Sequence, residues 1–242
     1  MTLTLTQPSL TDFITTRVHE SAERLRRDPF YARIIGGTAT REEYAAWLIQ
    51  KHKYVRYTEE LIKHLVAVSA GPAEAGGEAA ALHEYAQFEA VEEANHDDLL
   101  VKDLAALWDV SRAEARGRIE LTERAPSILT YARIYEAFLV HQPKSILGIA
   151  FALESLAALH ADEIRLALLA KSRIEGIQRS VQFLAAHCAE VEDDHRTHAA
   201  ARIEGLSDPT EEAAVHHLAS LALDMYEGLA FYLGRKFPAQ EA

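Results

Sequence analysis

The chain has 242 residues, of which 49% are hydrophobic and 26% charged, with few glycines and prolines, as expected of a soluble, mostly helical globular protein long enough to bury a sizeable core. Its formal net charge of −12 argues against nucleic acid as a partner, because phosphate-backbone affinity comes from clustered Lys and Arg. Cys188 is the only cysteine and rules out an internal disulfide, "MTLTLTQPSL" lacks the features of a signal peptide, and no apolar stretch approaches the ~20 residues of a membrane span, so a cytoplasmic protein with no membrane partner is expected.

Breaker residues at "AGPAEAGGE" (70–78), "RAPS" (124–127), "HQPK" (141–144) and "LSDPTEE" (206–212) divide the sequence into helical segments. Helices are predicted over 10–27, 41–69, 79–108, 111–122, 127–141, 144–170, 174–204 and 210–235. Ser207 or Asp208 ahead of Pro209, with acids following, is a good helix start. Nothing reads as a strand. The long helices lack sustained heptads, and no linker marks a second domain, so the expected fold is all-α: a single domain over 1–242 with about seven to eight helices.

Three of these helices aim polar groups inward. On 79–108 the stripe of Leu82, Tyr85, Leu100 and Leu107 is buried; Glu89 and His96 fall at its centre, and Glu92 and Glu93 flank it by roughly 50° each at ~100° per residue. In "ILGIAFALESLAAL" (146–159) the only charge is Glu154. A buried carboxylate there costs several kcal/mol unless it is paired, protonated or bound to a cation. On 174–204 Leu184 and Val191 mark the inner stripe. His187 lies between them, His195 and His198 continue it, Asp194 and Cys188 border it, Glu192 lies further round, and Glu190 and Asp193 are left to solvent. Imidazoles and carboxylates on facing helices are how di-iron and di-manganese centres are built. Glu93-x-x-His96 has the spacing such centres use, although one tetrapeptide carries little weight alone. The plainer alternatives are a solvated charge run for "EDDHRTH", a buried Arg pair for Glu154 and a small apolar role for Cys188.

At these residues the chain resembles the heme-oxygenase-like superfamily, which includes thiaminase II, the pyrroloquinoline-quinone synthase, heme oxygenases and di-iron oxidases. "DPFYARIIGGTATREEYAAWLIQKHKYV" (28–55) is similar to the shared N-terminal pattern. "EEANHDDLLVKDLAALW" (92–108) and "FALESLAAL" (151–159) are most similar to the di-iron oxidase branch. "CAEVEDDH" (188–195) resembles in frame the His-x-x-x-Asp-x-x-His of the third metal stretch.

The resemblance implies ligands at His96, Glu154 and His195, Glu192 in place of the Asp, Glu89 or Glu93 from helix 79–108, and Glu59 or Glu60 from the preceding helix. In strict frame the first His of the third stretch falls on Cys188; either a one-residue shift brings His187 to the metal, or a thiolate binds, or one metal is lost. The implied function is a non-heme enzyme with two iron ions, manganese being possible, that activates O2 to oxidise a small organic substrate such as an amino or fatty acid. A homodimer is implied as well. Lys51, Tyr54 and Tyr57 would line the pocket.

Two alternatives stand beside this one. A heme oxygenase would place its axial ligand at His19, where "TRVHESAE" is similar, but its distal helix needs glycines and none occurs between 149 and 175. A member with a degenerate site would serve as a ligand-binding or partner protein. Thiaminase II would want an aspartate where Lys51 stands.

Overall fold

The structure is a computed structural model that describes residues 9–74 and 76–239, with the backbone alone at 140, 190, 191, 193 and 194. The orientations expected for Glu190, Val191, Asp193 and Asp194 therefore lie outside the described residues.

Among the described residues every regular element is helical. The first three helices are α1 (Leu10–Arg27), α2 (Pro29–Ile35) and α3 (Arg41–Ala73). They begin as their sequences dictate: Ser9 and Asp12 form a capping box on α1, Asp28 caps α2 ahead of Pro29, and Thr40 with Glu43 forms a second capping box on α3. Helix α2 has no counterpart among the predicted elements. Its seven residues are too few for periodicity to show.

The segment expected to be one helix over 79–108 is two, α4 (Gly77–Glu92) and α5 (His96–Trp108). The break is at Asn95, which adopts the left-handed conformation with φ 69°; asparagine tolerates that conformation better than most residues. Helices α6 (Arg112–Leu121), α7 (Pro126–His141) and α8 (Ile146–Lys171) follow their predicted positions.

The second correction concerns 174–204, which contains a loop, a 3₁₀ turn over Ile177–Arg179, a short α9 (Gln182–Ala186) and α10 (Ala189–Glu204). Cys188 is extended (φ −69°, ψ 157°) and occupies the cap position of α10, so the helical phase restarts there. The last helix, α11 (Pro209–Lys236), starts as expected, capped by Asp208.

Helix α8 lies at the centre, packed against α1, α10 and α11, while α3 packs against α4 and α5. Gly148 lets α8 approach α11 closely, since a Cβ there would lie 2.1 Å from the Val215 carbonyl oxygen. Gly37, at φ +68°, turns the chain against α8 where a Cβ would lie 2.3 Å from the Ala167 carbonyl oxygen. The stretch Pro143–Lys171 is long and apolar enough to cross a membrane by length and composition, but 67% of its apolar window is buried within the fold. That is how a core helix satisfies the same criterion.

Candidate metal centre

Helices α3, α4, α8 and α9 line a cavity, with single residues added by α2 (Tyr31), α7 (Tyr135), α10 (Glu192) and α11 (Tyr226). It offers about 80 Å³ to the centres of water molecules, room for several waters or a small organic molecule at ~10–15 Å³ per water centre. The side chains reach it by helical spacing. Trp47, Lys51, Tyr54, Val55, Thr58 and Ile62 come from α3, Tyr85 and Glu89 from α4, and Ile146, Ile149, Leu153 and Glu154 from α8.

The two helix breaks meet at this cavity. Glu93 ends α4 and His96 begins α5, with His96 Nδ1 2.8 Å from Glu93 Oε2. His187 lies in the break between α9 and α10, its ring 4.6 Å from that of His96. Ligand atoms of Glu93, His96 and His187 all lie within 4.8 Å of one another. His187 Nδ1 is 3.0 Å from the Phe183 carbonyl oxygen; donating there fixes the tautomer and leaves the lone pair of Nε2 for a ligand.

The restarted phase of α10 decides which of its residues face inward. Among its described side chains the buried ones are Glu192, His195, Ala199 and Ile203. Glu192, expected well round the helix, is 2% exposed and lines the cavity. His195 is buried as expected, with Nε2 3.4 Å from Glu92 Oε2 at the rim. His198, expected to point inward, is exposed and stacks on Phe88. Of the two residues competing for the third stretch, His187 joins Glu93 and His96 while Cys188 caps α10 and lies outside the cavity lining.

Two further candidates lie elsewhere. Glu60 is exposed and pairs with Arg56, so it does not reach the centre. Its neighbour Glu59 is buried, with Oε1 accepting the Asp97 backbone N–H at 3.3 Å. Tyr57 is half-buried and accepts a hydrogen bond from Arg124 rather than lining the cavity. His19 is exposed on α1, away from the cavity, which removes the axial ligand from the heme-oxygenase alternative.

The electrostatics are those of a surplus of buried acid. Burial pushes the Glu89 carboxyl up to about 8, with Glu93 adding repulsion. Burial likewise raises Glu192 to about 8, again reinforced by Glu93. Glu154 is raised well above the usual carboxylate range by burial and by Glu89, Glu192 and Glu93, and its Oε2 accepts no hydrogen bond. Glu93 goes the other way: burial opposes its charge, but the hydrogen bond from His96 and the nearby histidines together lower its pKa. His187 is held neutral, its pKa lowered to about 4 mainly by burial. A cation placed among these groups would relieve the repulsion and satisfy the lone pairs.

Other wall residues carry no motif in the sequence. His160 is 2% exposed on α8, and Tyr226 reaches in from α11. Extending the α8 stripe from Leu153 through Ala157 by helical spacing would have reached His160. Tyr226 sits in an unremarkable apolar stripe, and only tertiary structure brings it to the site.

Fold and centre together define a class, an all-α heme-oxygenase-like bundle with buried carboxylates and imidazoles on facing helices. Solved structures share the fold, among them the following two. A domain of unknown function with a heme oxygenase-like fold from Shewanella denitrificans OS217 matches with a TM-score of 0.74 and 16% identity, over 96% of this chain and 94% of that one. A TenA homolog from Pseudomonas syringae pv. tomato DC3000 matches with a TM-score of 0.70 and 13% identity, over 94% of this chain and 93% of that one. At these identities the likeness is one of fold. No family model and no curated protein matches the chain.

Proposed function

We propose that this protein is a metal-dependent oxidoreductase of the di-iron oxidase type, using O2 to oxidise a small organic substrate. The observation that carries this reading is the convergence of Glu93, His96 and His187 ligand atoms within 4.8 Å, with Glu93 and His187 on the wall of a cavity also lined by Glu89, Glu154 and Glu192.

The residues fit such a cofactor. Mixed imidazole and carboxylate donors suit iron or manganese, and four glutamates in one cavity are more negative charge than a buried site holds without cations. Glu93, His96 and His187 would hold one ion, and Glu89, Glu154 and Glu192 would serve a second, with His195 behind Glu192. When bound, the metal would supply O2 activation and one-electron chemistry. The chain's own groups then have defined tasks. The Phe183 carbonyl keeps His187 in the ligating tautomer. Tyr54, Tyr85 and Tyr135 hydroxyls stay protonated, because burial raises the pKa of each, so they can donate hydrogen bonds into the cavity. Lys51 Nζ, 3.1 Å from the Tyr54 hydroxyl, has its pKa lowered to about 7 by burial and can hold or release a proton at that oxygen near neutral pH.

The test is metal content by elemental analysis after anaerobic Fe(II) loading and desalting. Near two irons per chain in the wild type, lost in Glu154→Ala and His195→Ala, is the expected result. Iron no higher in the wild type than in those variants would end the proposal. With iron confirmed, O2 uptake in the presence of candidate amino and fatty acids tests the oxidase activity itself.

A further inference from the structure

Beside the carboxylate–imidazole cluster the same cavity holds a cation. Lys51 is 7% exposed and its Nζ lies against four aromatic rings: 4.5 Å from the Tyr226 centroid, 5.2 Å from Tyr54, 5.3 Å from Trp47 and 5.5 Å from Phe183. Phe183 stands between the two regions, since its ring is also 4.2 Å from that of His187. The hydrogen bond of Nζ to the Tyr54 hydroxyl uses one of the three N–H donors of an ammonium. Among the described residues no carboxylate comes within ion-pair distance of it. His160, on the same cavity wall, is buried with neither ring nitrogen hydrogen-bonded, and lies close enough to Lys51 for that charge to lower its pKa further.

A buried lysine with spare donors and an imidazole with two unmade hydrogen bonds are costly to leave as they are. An anion between them would accept from the ammonium and from the one N–H of the neutral imidazole. The aromatic faces favour the charged form of the lysine, so the pair is suited to receive a negative group. One cation assisted by neutral donors balances a single charge. A phosphate dianion would need a second cation, and the other charged groups in the cavity are glutamates.

We propose that Lys51 and His160 form an anion subsite that takes the carboxylate of a small organic monoacid, with its apolar body along Ile62, Ile146, Ile149 and Leu153. That the acid is the substrate rests on the oxidase reading above; the subsite itself stands on the lysine cage and the unpartnered imidazole. The carboxylate sits at Lys51, whose charge also acts on Glu192, and the apolar portion is presented to the metal centre.

Calorimetric titration of the metal-free protein with hexanoate, hexanamide and hexylamine tests this. Hexanoate is expected to bind once per chain and at least tenfold more tightly than hexanamide, with hexylamine weaker still. In Lys51→Met, which keeps the length and apolar stem of the side chain, the ratio of hexanoate to hexanamide affinity should fall to near one. Equal binding of acid and amide by the wild type, tighter binding of the amine, or no saturable binding of any of the three would overturn the subsite, and these arms need no variant to fold. An acid preference that survives in Lys51→Met would overturn it too. Iron loading of the same preparations separates the two proposals. Acid preference without iron binding would leave the subsite and remove the oxidase reading, and iron binding without acid preference would do the reverse.

Discussion

The two regions of the cavity solve the same problem in opposite ways. Around Glu154, burial and three neighbouring glutamates push carboxyl pKa values upward, so charge there is tolerated only if something positive arrives. Around Lys51, burial lowers an ammonium pKa to about 7, but four ring faces and a tyrosine hydroxyl surround it. The acidic region has only partial counter-charge, from Arg196 on Glu154 and Lys51 on Glu192, while the basic one is partly satisfied by neutral groups. A buried like-charged cluster is therefore the stronger sign of an absent cation, whereas a caged lysine is compatible with a resting state of its own and marks a weaker, exchangeable ligand.

The largest expected effect breaks the acidic region. Glu154→Gln keeps the side-chain shape and removes the ionisable group. The folded-state pKa of Glu154 is raised, so the stability linked to its proton is full below the unfolded value of 4.5 and is lost as pH rises through the folded value. Metal-free Glu154→Gln should accordingly melt higher than the metal-free wild type at pH 8, and the gap should close toward pH 4.5. Saturating Fe(II) or Mn(II) should reverse the order, raising the wild type by about 3 kcal/mol at a hundredfold excess over Kd and leaving the variant unmoved. Scanning calorimetry at several pH values with and without metal reads both. Equal melting of the metal-free pair at pH 8 would mean that Glu154 is not strained by its neighbours.

An effect with the opposite pH dependence is expected from Lys51→Met. The folded pKa of Lys51 is lowered from 10.5 to about 7, so the unfolded chain binds the extra proton between those values and wild-type stability rises with pH across that window. The variant should be more stable than the wild type at and below pH 7, by at most about 5 kcal/mol at ~1.4 kcal/mol per pH unit, with the difference vanishing above pH 10.5. Urea unfolding at pH 6.5 and pH 9.5 checks it. A gap that widens with pH would mean that Lys51 is stabilised as an ion pair.

Much of this arrangement was legible in the sequence because it lies on unbroken helices. Glu154, the lone charge of an apolar stretch on α8, lines the cavity, as do Lys51 and Tyr54 of the three pocket residues the resemblance implies, while Tyr57 does not. Counting failed where the chain stops being a helix. Carrying one helical phase through Cys188, whose extended backbone resets it, turns His198 inward and Glu192 aside. The choice between His187 and Cys188 could not be made by spacing for the same reason. Glu60 against Glu59 was undecided because neighbouring residues on a helix point 100° apart, and only the packing of α5 on α3 selects Glu59. Both breaks lie beside metal-ligand candidates, so the part of the site hardest to read is also the part that lets Glu93, His96 and His187 converge.

One residue couples the two regions and gives the smallest predicted effect. Asp103, fully buried on α5, accepts the backbone N–H groups of Gln182 at 3.0 Å and Phe183 at 2.9 Å, the orphan donors at the start of α9. Burial raises its pKa to about 6 despite those bonds. Phe183 faces Lys51, and His187 follows at the end of α9, so Asp103 holds the short segment from which both regions take a wall. Asp103→Asn keeps one acceptor and turns an amide toward the other N–H, at a cost of about 1–2 kcal/mol. If α9 positions both regions, iron affinity and hexanoate affinity should fall together, each by roughly three- to tenfold, the equivalent of 0.7–1.4 kcal/mol, with the melting temperature lowered by only a few degrees. A fall in iron affinity alone would show that His187 depends on α9 while the lysine cage is held by α3 and α11, and the two regions would then be independent sites sharing one cavity.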